Sequence, residues 1–430
     1  MAKIHPFRGL RYNPEKVANL ASVVTPPYDI IDDAAQARYY AEHPANIIRL
    51  ELGLMFPQDS PENNRYTRAR QYLDKWLEDE ILVPEGSPAL YLYQQSFENR
   101  GRSIVRTGLV CGLEVEDYNT GNVLPHEETL SKPKADRFQL MQHTRCNFSS
   151  IFGLYIDEAK TIDGLMLAYT KDRAPDIDIT DEAGEGHRIW VIDDASVLSS
   201  IVKIMSKKKI YIADGHHRYE TALDFAKSMK KAGYDYVLTT LVNVYDEGLV
   251  VFPTHRLVGN LPDFDQPAFI AKLAELFDVE PFTGNNIAAF LNEVETAGQN
   301  AYTFGMYSKG GLFVLKLKDP QAAFQRLPQD KSDAWKALDV AILDYLVLDQ
   351  ILNIGEEQRR NQENLAYTRS ERFLAEQVDG GHYQIGFLLN ATKVQDIVAV
   401  ANARDKMPQK STYFYPKLIT GLIVNDLEIK

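Results

Sequence analysis

The chain has few cysteines. Cys111 and Cys146 are the only two among 430 residues, and they do not form a Cys-x-x-Cys pair. Two separated thiols cannot build a disulfide framework or a thiolate zinc site. This usage is typical of a protein in the reducing cytoplasm.

Long apolar runs are also missing. No stretch approaches the roughly 18 consecutive apolar residues that a transmembrane helix needs. Charged residues recur at short intervals near the N-terminus, from Lys3 to Lys16, and interrupt any apolar run that could act as a signal peptide. We therefore expect a cytoplasmic protein with no membrane partner.

Basic residues are in the minority. The chain has 47 Lys and Arg against 60 Asp and Glu, which gives a net charge of −13 at pH 7. Such a charge repels DNA at long range, and no predicted helix carries the basic stripe of a DNA-binding protein. We expect no DNA contact, and any anion site must be built by a local group of residues.

The remaining composition is that of a folded protein with mixed secondary structure. Apolar residues make up 45% of the chain and charged residues 25%, and the length suits two or three domains. Three- and four-residue apolar spacing predicts a helix over 61–82, and residues 263–360 show mostly helical periodicity. A homodimer is compatible with the sequence.

Runs rich in β-branched and aromatic residues predict strands. Residues 89–93 and 107–113 are predicted to form one hairpin, and 236–245 and 249–252 a second one across the turn 246–248. Short apolar runs in 387–392 and 413–424 predict further strands. The fold class is therefore α/β in the mixed α+β sense.

The sharpest motif is Asp214-Gly215-His216-His217-Arg218, which follows an apolar strand and opens a helical pattern that Gly233 could close. The N-terminus of a helix suits a phosphate, because its backbone N–H groups are unpaired and its dipole end is positive. Gly215 permits close approach and Arg218 supplies a two-pronged donor. Asp214 would repel that phosphate, so it is either a helix cap or a residue that handles a metal or a proton.

Histidines concentrate in one third of the chain. Six of the nine lie between residues 126 and 255, and clustered imidazoles nominate this segment as functional, although chance clustering is the alternative. Glu127, beside His126, is a candidate general base, while His126 could contact phosphate or metal. Residue 130 is Leu, so the HExxH zinc spacing fails. A solvated loop is the alternative for this motif, and also for residues 131–137.

Three other segments could contribute to a site. Pro26-Pro27 stiffens the backbone before Tyr28 and Asp29, although an ordinary turn has the same composition. His255 and Arg256 follow a predicted strand and suit a ligand, or else form a surface turn. The segment 406–425 has no acidic residue, and three of its residues are candidates for binding phosphate: Lys410, Ser411 and Lys417. They could equally belong to a strand whose lysine side chains extend into solvent.

Several common motifs are absent. The chain has no GxxxxGK(S/T), no GxGxxG and no GxSxG, which excludes a P-loop kinase, the usual dinucleotide fingerprint and a nucleophile elbow.

The motif over 214–222 resembles the phosphate-binding motif of the ParB/sulfiredoxin superfamily, which includes the archaeal free-serine kinases. This resemblance implies that Gly215, His216, His217 and Arg218 hold nucleotide phosphates, with Asp214 close to the transferred group. Sulfiredoxin needs a cysteine in this turn, and His216 stands there, so sulfiredoxin chemistry is excluded.

Over nearly its whole length the chain also resembles the bacterial and archaeal domain-of-unknown-function family 1015. The matching segments lie in 24–29, 125–127, 136–137, 213–222, 253–256 and 407–417. The resemblance identifies a family without defining an activity.

These observations favour a cytoplasmic phosphotransferase that moves a phosphoryl group between ATP or ADP and a small hydroxylated metabolite, with Mg²⁺ as cofactor. The predicted catalytic residues are Asp214, Glu127, His216 and Asp29. Asp214 and Asp29 would hold the metal. Phosphate binding is assigned to Gly215, His216, His217, Arg218, Arg256, Lys410 and Lys417, and substrate binding to Tyr28, His126, His255 and Ser411.

Two alternatives belong to other classes. One is a ParB-like regulatory protein that binds a nucleotide without a small-molecule acceptor, and the other is a metal-dependent hydrolase built from histidines and carboxylates. The superfamily resemblance implies a ParB/sulfiredoxin-like core from 1–50 and 193–260, with 51–192 inserted. Residues 261–430 would form a C-terminal α+β lobe whose end returns to the site.

Overall fold

The computed structural model describes residues 1–127, 129, 131–284 and 286–429. The chain divides into two units: unit 1 is Met1–Pro125, Thr129–Val250 and Pro416–Lys430, and unit 2 is His126–Glu128 and Val251–Tyr415. Both contain helices and sheets, which confirms the mixed α/β fold class. No helix in the described part of the chain is long and apolar enough to cross a membrane.

Unit 1 is built from short strands and helices that alternate along the chain. Its strands up to residue 250 are β1 Ile4–His5, β2 Leu10–Tyr12, β3 Leu82–Pro84, β4 Leu90–Asn99, β5 Arg102–Glu114, β6 Val123–Leu124, β7 Cys146–Asn147, β8 Ile151–Tyr155, β9 Ile177–Thr180, β10 Gly186–Ile192, β11 Ile210–Asp214 and β12 Tyr236–Asn243. Its helices are α1 Asp33–Glu42, α2 Ile48–Glu51, α3 Arg65–Glu78, α4 Ser131–Thr144, α5 Thr161–Thr170, α6 Ala195–Met205 and α7 His216–Met229. Short 3₁₀ segments are Leu20–Ser22, Tyr28–Ile30 and Tyr118–Thr120.

One large sheet organises unit 1. Its strand order is β6-β11-β8-β12-β5-β4-β10-β9, and β1 pairs with β5. The predicted first hairpin is confirmed as β4 and β5, which turn at Arg100-Gly101 with φ of 51° and 73°. Two left-handed residues make the type of tight turn whose twist matches that of the strands.

The predicted helix over 61–82 is confirmed as α3. The Asn64 side chain caps it by accepting from the backbone N–H groups of Tyr66 and Thr67, and Thr67 Oγ1 accepts in return from the Asn64 backbone N–H. This reciprocal capping explains why the helix begins at Arg65. Its apolar face, with Leu73 and Trp76, packs into a core that also includes Val424 from the C-terminal segment.

Unit 2 has a smaller antiparallel sheet with the strand order β15-β17-β16-β19-β14-β18, and a separate pair, β13 and β20. The strands are β13 Val250–Phe252, β14 His255–Val258, β15 Phe277–Pro281, β16 Thr303–Ser308, β17 Gly311–Leu317, β18 Leu365–Thr368, β19 Ile385–Leu388 and β20 Tyr413–Tyr415. The helices are α8 Gln266–Leu276, α9 Ile287–Ala297, α10 Pro320–Arg326, α11 Asp333–Lys336, α12 Asp339–Ile342, α13 Glu356–Asn361, α14 Glu371–Asp379 and α15 Val394–Asn402, with a π-helix over Leu343–Asp349.

The last segment of the chain belongs to unit 1. Thr420 bridges to Thr25, Val424 bridges to Leu10, and β21, Asn425–Asp426, pairs with β7. These antiparallel bridges fix residues 416–426 against the N-terminal part of the unit.

Two local predictions were wrong. The second hairpin does not form, because β12 pairs with β5 and β8 while β13 pairs with β20. Every residue of β12 after Tyr236 is buried, a pattern typical of a central strand whose two faces are both covered. The regular structure of residues 263–360 is mostly helical, as predicted, with β15, β16 and β17 among the helices. Helix α7 is closed by Lys230 in the left-handed conformation, and not by Gly233 as predicted.

The predicted division of the chain, with a core of 1–50 and 193–260 and an insertion of 51–192, stays a prediction. Six strands from 51–192 lie in the same sheet as β11 and β12, namely β4, β5, β6, β8, β9 and β10.

Two glycines of unit 1 are predicted to respond oppositely to alanine. A Cβ at Gly248 would lie 2.5 Å from Arg106 Cα and 2.6 Å from Arg106 N, whereas a Cβ at Gly164, inside α5, would meet nothing within 4 Å. Gly248→Ala should lower the free energy of unfolding by about 1–3 kcal/mol. Gly164→Ala should raise it by about 0.5–1 kcal/mol, because glycine is a poor helix former. Urea unfolding measures both, and a change of the same sign in the two variants would contradict the packing described here.

Candidate functional site

The motif over 214–218 forms a strand, a tight turn and a helix, as the sequence predicts. Strand β11 ends at Asp214, Gly215 follows with φ of 89°, and α7 begins at His216. A left-handed residue is needed at this point, and glycine takes that conformation without strain. A Cβ at Gly215 would also lie 3.0 Å from Arg218 Nε, because the guanidinium folds back over the turn.

Asp214 forms ion pairs instead of capping the helix. Its Oδ2 lies 3.1 Å from Lys417 Nζ and 3.8 Å from Arg218 Nη2. The side chains of Asp214, Arg218 and Lys417 are only 26%, 11% and 14% exposed. Burial opposes ionisation of Asp214, but the charges of Lys417 and Arg218 prevail and lower its pKa to about 2. The cap position belongs to Gly215, so the helix-cap alternative for Asp214 is wrong.

Arg218 has a second anchor. Its Nη1 donates to the carbonyl of Ser150, at 2.6 Å, just before β8. The guanidinium is thus held between the turn and the next strand of the sheet. Arg218 and Lys417 together bring two positive charges to the carboxylate of Asp214.

The Pro26-Pro27 segment approaches the same turn. Tyr28 lies in a 3₁₀ turn, and its ring packs under the Arg137 guanidinium at 4.1 Å. Burial raises the pKa of Tyr28 to about 12, and the nearby charges of Arg218 and Arg137 oppose this shift. Burial lowers the pKa of His217, and the charges of Glu220 and Asp29 oppose that shift.

Residues 131–137 belong to α4, so the solvated-loop alternative for them is wrong. Arg137 is buried, and its Nη1 lies 3.2 Å from Glu51 Oε1. Lys134 Nζ donates to Glu220 Oε2 at 2.9 Å, and Thr129 Oγ1 donates to the same oxygen at 2.6 Å. Helix α4 therefore adds two cations beside the first turns of α7.

Arg106 is a central residue that the sequence analysis missed. It is 1% exposed in β5, and its Nη2 donates to Gln95 Oε1 and, at 2.6 Å, to the carbonyl of Pro416. Burial lowers its pKa to about 10, so the guanidinium stays charged at neutral pH. No local signal marks it, because residues 102–107, Arg-Ser-Ile-Val-Arg-Thr, do not alternate between apolar and polar types.

A second polar group lies further along the same sheet. Cross-strand register places Arg106 opposite Gln95, and Gln95 opposite His187 on β10. His187 bonds to the Tyr93 hydroxyl through Nδ1 at 2.8 Å and to Asp181 through Nε2 at 3.1 Å. One group of three potential metal ligands is found among the described residues, and it consists of Asp181, Glu185 and His187.

The other predicted site residues lie in unit 2. His126 bonds to Thr412 Oγ1 at 3.1 Å, and Glu127 follows it in the chain. His255 and Arg256 are 1% and 0% exposed, so the surface-turn alternative for them is wrong. Burial, with Arg256 adding to the effect, lowers the pKa of His255 to about 4, and His255 Nδ1 accepts from the Leu389 N–H.

The motif over 407–417 is split between the units. Ser411 Oγ donates to the Pro408 carbonyl, and the Lys410 carbonyl accepts from Arg256 Nη1 at 3.3 Å. Lys417, by contrast, belongs to unit 1 and pairs with Asp214. Unit 1 therefore brings together one group of the predicted residues, namely Tyr28, Asp29, Asp214, Gly215, His216, His217, Arg218 and Lys417.

Comparison with protein families identifies the class of this chain. The model of a family described as "Protein of unknown function (DUF1015)" matches residues 4–341. The chain therefore belongs to this family. A search of curated proteins found no match.

Solved structures give weaker similarities. A conserved hypothetical protein from Pyrococcus furiosus is 12% identical with a TM-score of 0.36, covering 75% of this chain and 96% of its own. A free serine kinase in complex with AMP is 10% identical with a TM-score of 0.36, covering 73% and 92%. SbnI from Staphylococcus aureus, with a C-terminal truncation, is 9% identical with a TM-score of 0.32, covering 72% and 87%. The family assignment rests on the sequence match alone.

The Asp214 ion pairs predict a pH-dependent contribution to stability. Asp214→Asn should lower the free energy of unfolding by about 1–2 kcal/mol at neutral pH, because it leaves Lys417 and Arg218 without their counter-charge. A carboxyl whose pKa is lowered stabilises the fold above its unfolded-state pKa of 3.8, and this stabilisation is lost as the pH falls through about 2. The difference between the two proteins should therefore stay constant above about pH 5 and shrink below about pH 4.

Urea unfolding across this pH range measures the effect. Asp178→Asn is the matched control, because Asp178 is 53% exposed and pairs with Arg188, itself 56% exposed. Its effect should be close to zero. An Asp214→Asn loss that is no larger than this control would contradict the assigned ion pairs.

Proposed function

We propose that unit 1 binds the phosphate groups of a nucleotide at the turn 214–218, and that the protein is a nucleotide-dependent phosphotransferase. The acceptor would be a small hydroxylated metabolite. The observation that carries the proposal is the cluster at the start of α7, where Arg218 and Lys417 share the single carboxylate of Asp214.

The cluster suits a phosphate for three reasons. The N-terminus of α7 contributes the positive end of a helix dipole. Gly215 presents backbone without a side chain, so a phosphate oxygen can approach closely. Arg218 is already oriented by the Ser150 carbonyl, and a held guanidinium loses little freedom when it binds an anion.

These two cations matter because phosphoryl transfer depends on positioning and charge neutralisation more than on covalent chemistry. Gly215, His216, His217 and Arg218 would contact phosphate oxygens, and Lys417 would complete the clamp. Lys134 and Arg137 of α4 also lie beside the turn, and each is paired with a carboxylate.

Asp214 and Asp29 are the carboxylates that we propose to contact Mg²⁺ bound to ATP or ADP. Carboxylate oxygens suit Mg²⁺, which binds through one or two carboxylates together with substrate phosphates. In this structure Asp214 forms ion pairs with Lys417 and Arg218. A phosphate would draw these two cations away and leave Asp214 to the metal. The roles of Glu127 and His216 in catalysis, and of Tyr28, His126, His255 and Ser411 in substrate binding, stay predictions.

Thermal unfolding with nucleotides tests the binding step. ATP or ADP with Mg²⁺, at a hundred times its dissociation constant, should stabilise the wild type by about 2.7 kcal/mol. Arg218→Ala should abolish this gain, because it removes both the phosphate contact and one partner of Asp214. Arg68→Ala is the matched control: Arg68 is 19% exposed, pairs with Asp59 in the same unit, and should leave the gain intact.

The outcomes separate the alternatives. A nucleotide gain that Arg218→Ala and Arg68→Ala reduce equally would contradict the site, and no gain with any nucleotide would contradict the proposed function. Nucleotide turnover that rises only when a hydroxylated acceptor is added supports the phosphotransferase. Turnover that no acceptor changes would favour the nucleotide-binding regulatory protein.

A further inference from the structure

Unit 2 contains a cavity of about 390 Å³, a size that suits a small molecule. Its walls come from the loop around Lys331, the π-helix, α13, strand β18 and the segment 406–409. Residues 407–409 belong to the motif over 407–417. The proposed nucleotide site uses this motif only through Lys417.

The cavity is lined by more cations than carboxylates, in a chain whose net charge is −13. The three lining carboxylates belong to Asp330, Asp344 and Glu356. The four lining cations are Lys331, Arg359, Arg360 and Lys406. Lys331 and Arg359 also pair with Asp405 and Asp349 outside the lining, so the cavity offers an anion several cationic donors, not a net positive field.

Arg256 lies directly behind this wall. Its guanidinium contacts two cavity-lining side chains, Asp344 at 3.4 Å and the ring of Tyr367 at 5.2 Å. It is fully buried, at 0% exposure. Its Nε faces Asp344, and its Nη1 donates to the carbonyls of Thr254 and Lys410.

One part of this guanidinium has no protein partner. Arg256 Nη2 is buried and makes no hydrogen bond within the described part of the chain. A buried, charged donor left unmatched costs about 1–3 kcal/mol or more, so native proteins rarely keep one without a reason. Asp344 balances the charge of Arg256 but leaves this donor unsatisfied.

We propose that the cavity of unit 2 binds a small anionic metabolite whose phosphate or carboxylate group accepts from Arg256 Nη2 and is neutralised by Arg359, Arg360 and Lys406. Phosphate and carboxylate oxygens are the acceptors that a planar guanidinium binds best. This site is separate from the turn 214–218, and it does not depend on the proposed function.

Calorimetric titration with simple anions tests the site. Inorganic phosphate and succinate are the probes, with sodium chloride at equal ionic strength as the reference. The titrations use the full chain carrying Arg218→Ala, so that the turn in unit 1 does not contribute. We expect at least one probe to bind with one-to-one stoichiometry, and preference for phosphate over succinate would identify a phosphorylated ligand.

Two charge reversals form a matched pair. Arg360 lines the cavity and pairs with Glu356 four residues earlier, with 52% of its side chain exposed. Arg372 makes the same kind of pair with Glu376 on α14, at 85% exposure, and is not among the lining residues. Arg360→Glu should weaken probe binding about tenfold, whereas Arg372→Glu should leave it unchanged. Neither change touches the buried core, so both variants should fold.

Arg256→Lys keeps the positive charge opposite Asp344 but removes the forked donor. It should weaken binding of the preferred probe about tenfold, with circular dichroism confirming that the variant is folded. The proposal is wrong if neither anion binds at millimolar concentrations, or if Arg360→Glu and Arg372→Glu change the affinity equally.

Discussion

A single buried guanidinium holds the candidate site of unit 1 together. Arg106 is almost completely buried, and its Nη2 donates to Gln95 and to the Pro416 carbonyl, while Gln95 Nε2 donates to the Lys417 carbonyl. Moving residues 416–417 would leave these buried groups unmatched, which costs more than most surface rearrangements gain. The network thus anchors the backbone that carries Lys417, and Lys417 reaches Asp214 from this fixed point.

The same C-terminal segment also positions the other side of the site. Thr420 and Thr25 exchange two backbone hydrogen bonds, at 2.7 and 3.1 Å. Tyr28 follows Thr25 after Pro26-Pro27, where the rings of the two prolines leave the backbone little freedom. Lys417 and the Tyr28-Asp29 turn are therefore carried by two segments that are bonded to each other, although they lie almost 400 residues apart in sequence. Local chain stiffness and a long-range bridge together set the positions of these groups.

The parts of this arrangement that sequence could predict are the local ones. The strand, the tight turn and the helix over 210–229 have their signals within twenty residues, and α3 and the first hairpin were predicted on similar grounds. Lys417 was noticed because the segment around it lacks acidic residues. Arg106, and the pairing of Arg137 with Glu51, depend on contacts between distant segments and gave no local signal. The hairpin over 236–252 failed for the same reason, since β5 and β8 compete successfully for both edges of β12.

The buried arginines of the two units differ in how many of their hydrogen-bond donors have acceptors within the protein. Arg137 is bound by Glu51 and Asp136, and Arg106 by Gln95 and a backbone carbonyl, so both guanidinium groups serve the fold itself. Arg256 is as deeply buried but keeps Nη2 without a partner in the described chain. The buried guanidinium of Arg106 donates to a carbonyl 310 positions away in sequence. The same fold could therefore have supplied an acceptor for Arg256 Nη2. The exception at Arg256 lies behind a cavity whose lining includes four cations, and this setting argues that its missing acceptor is supplied by a ligand.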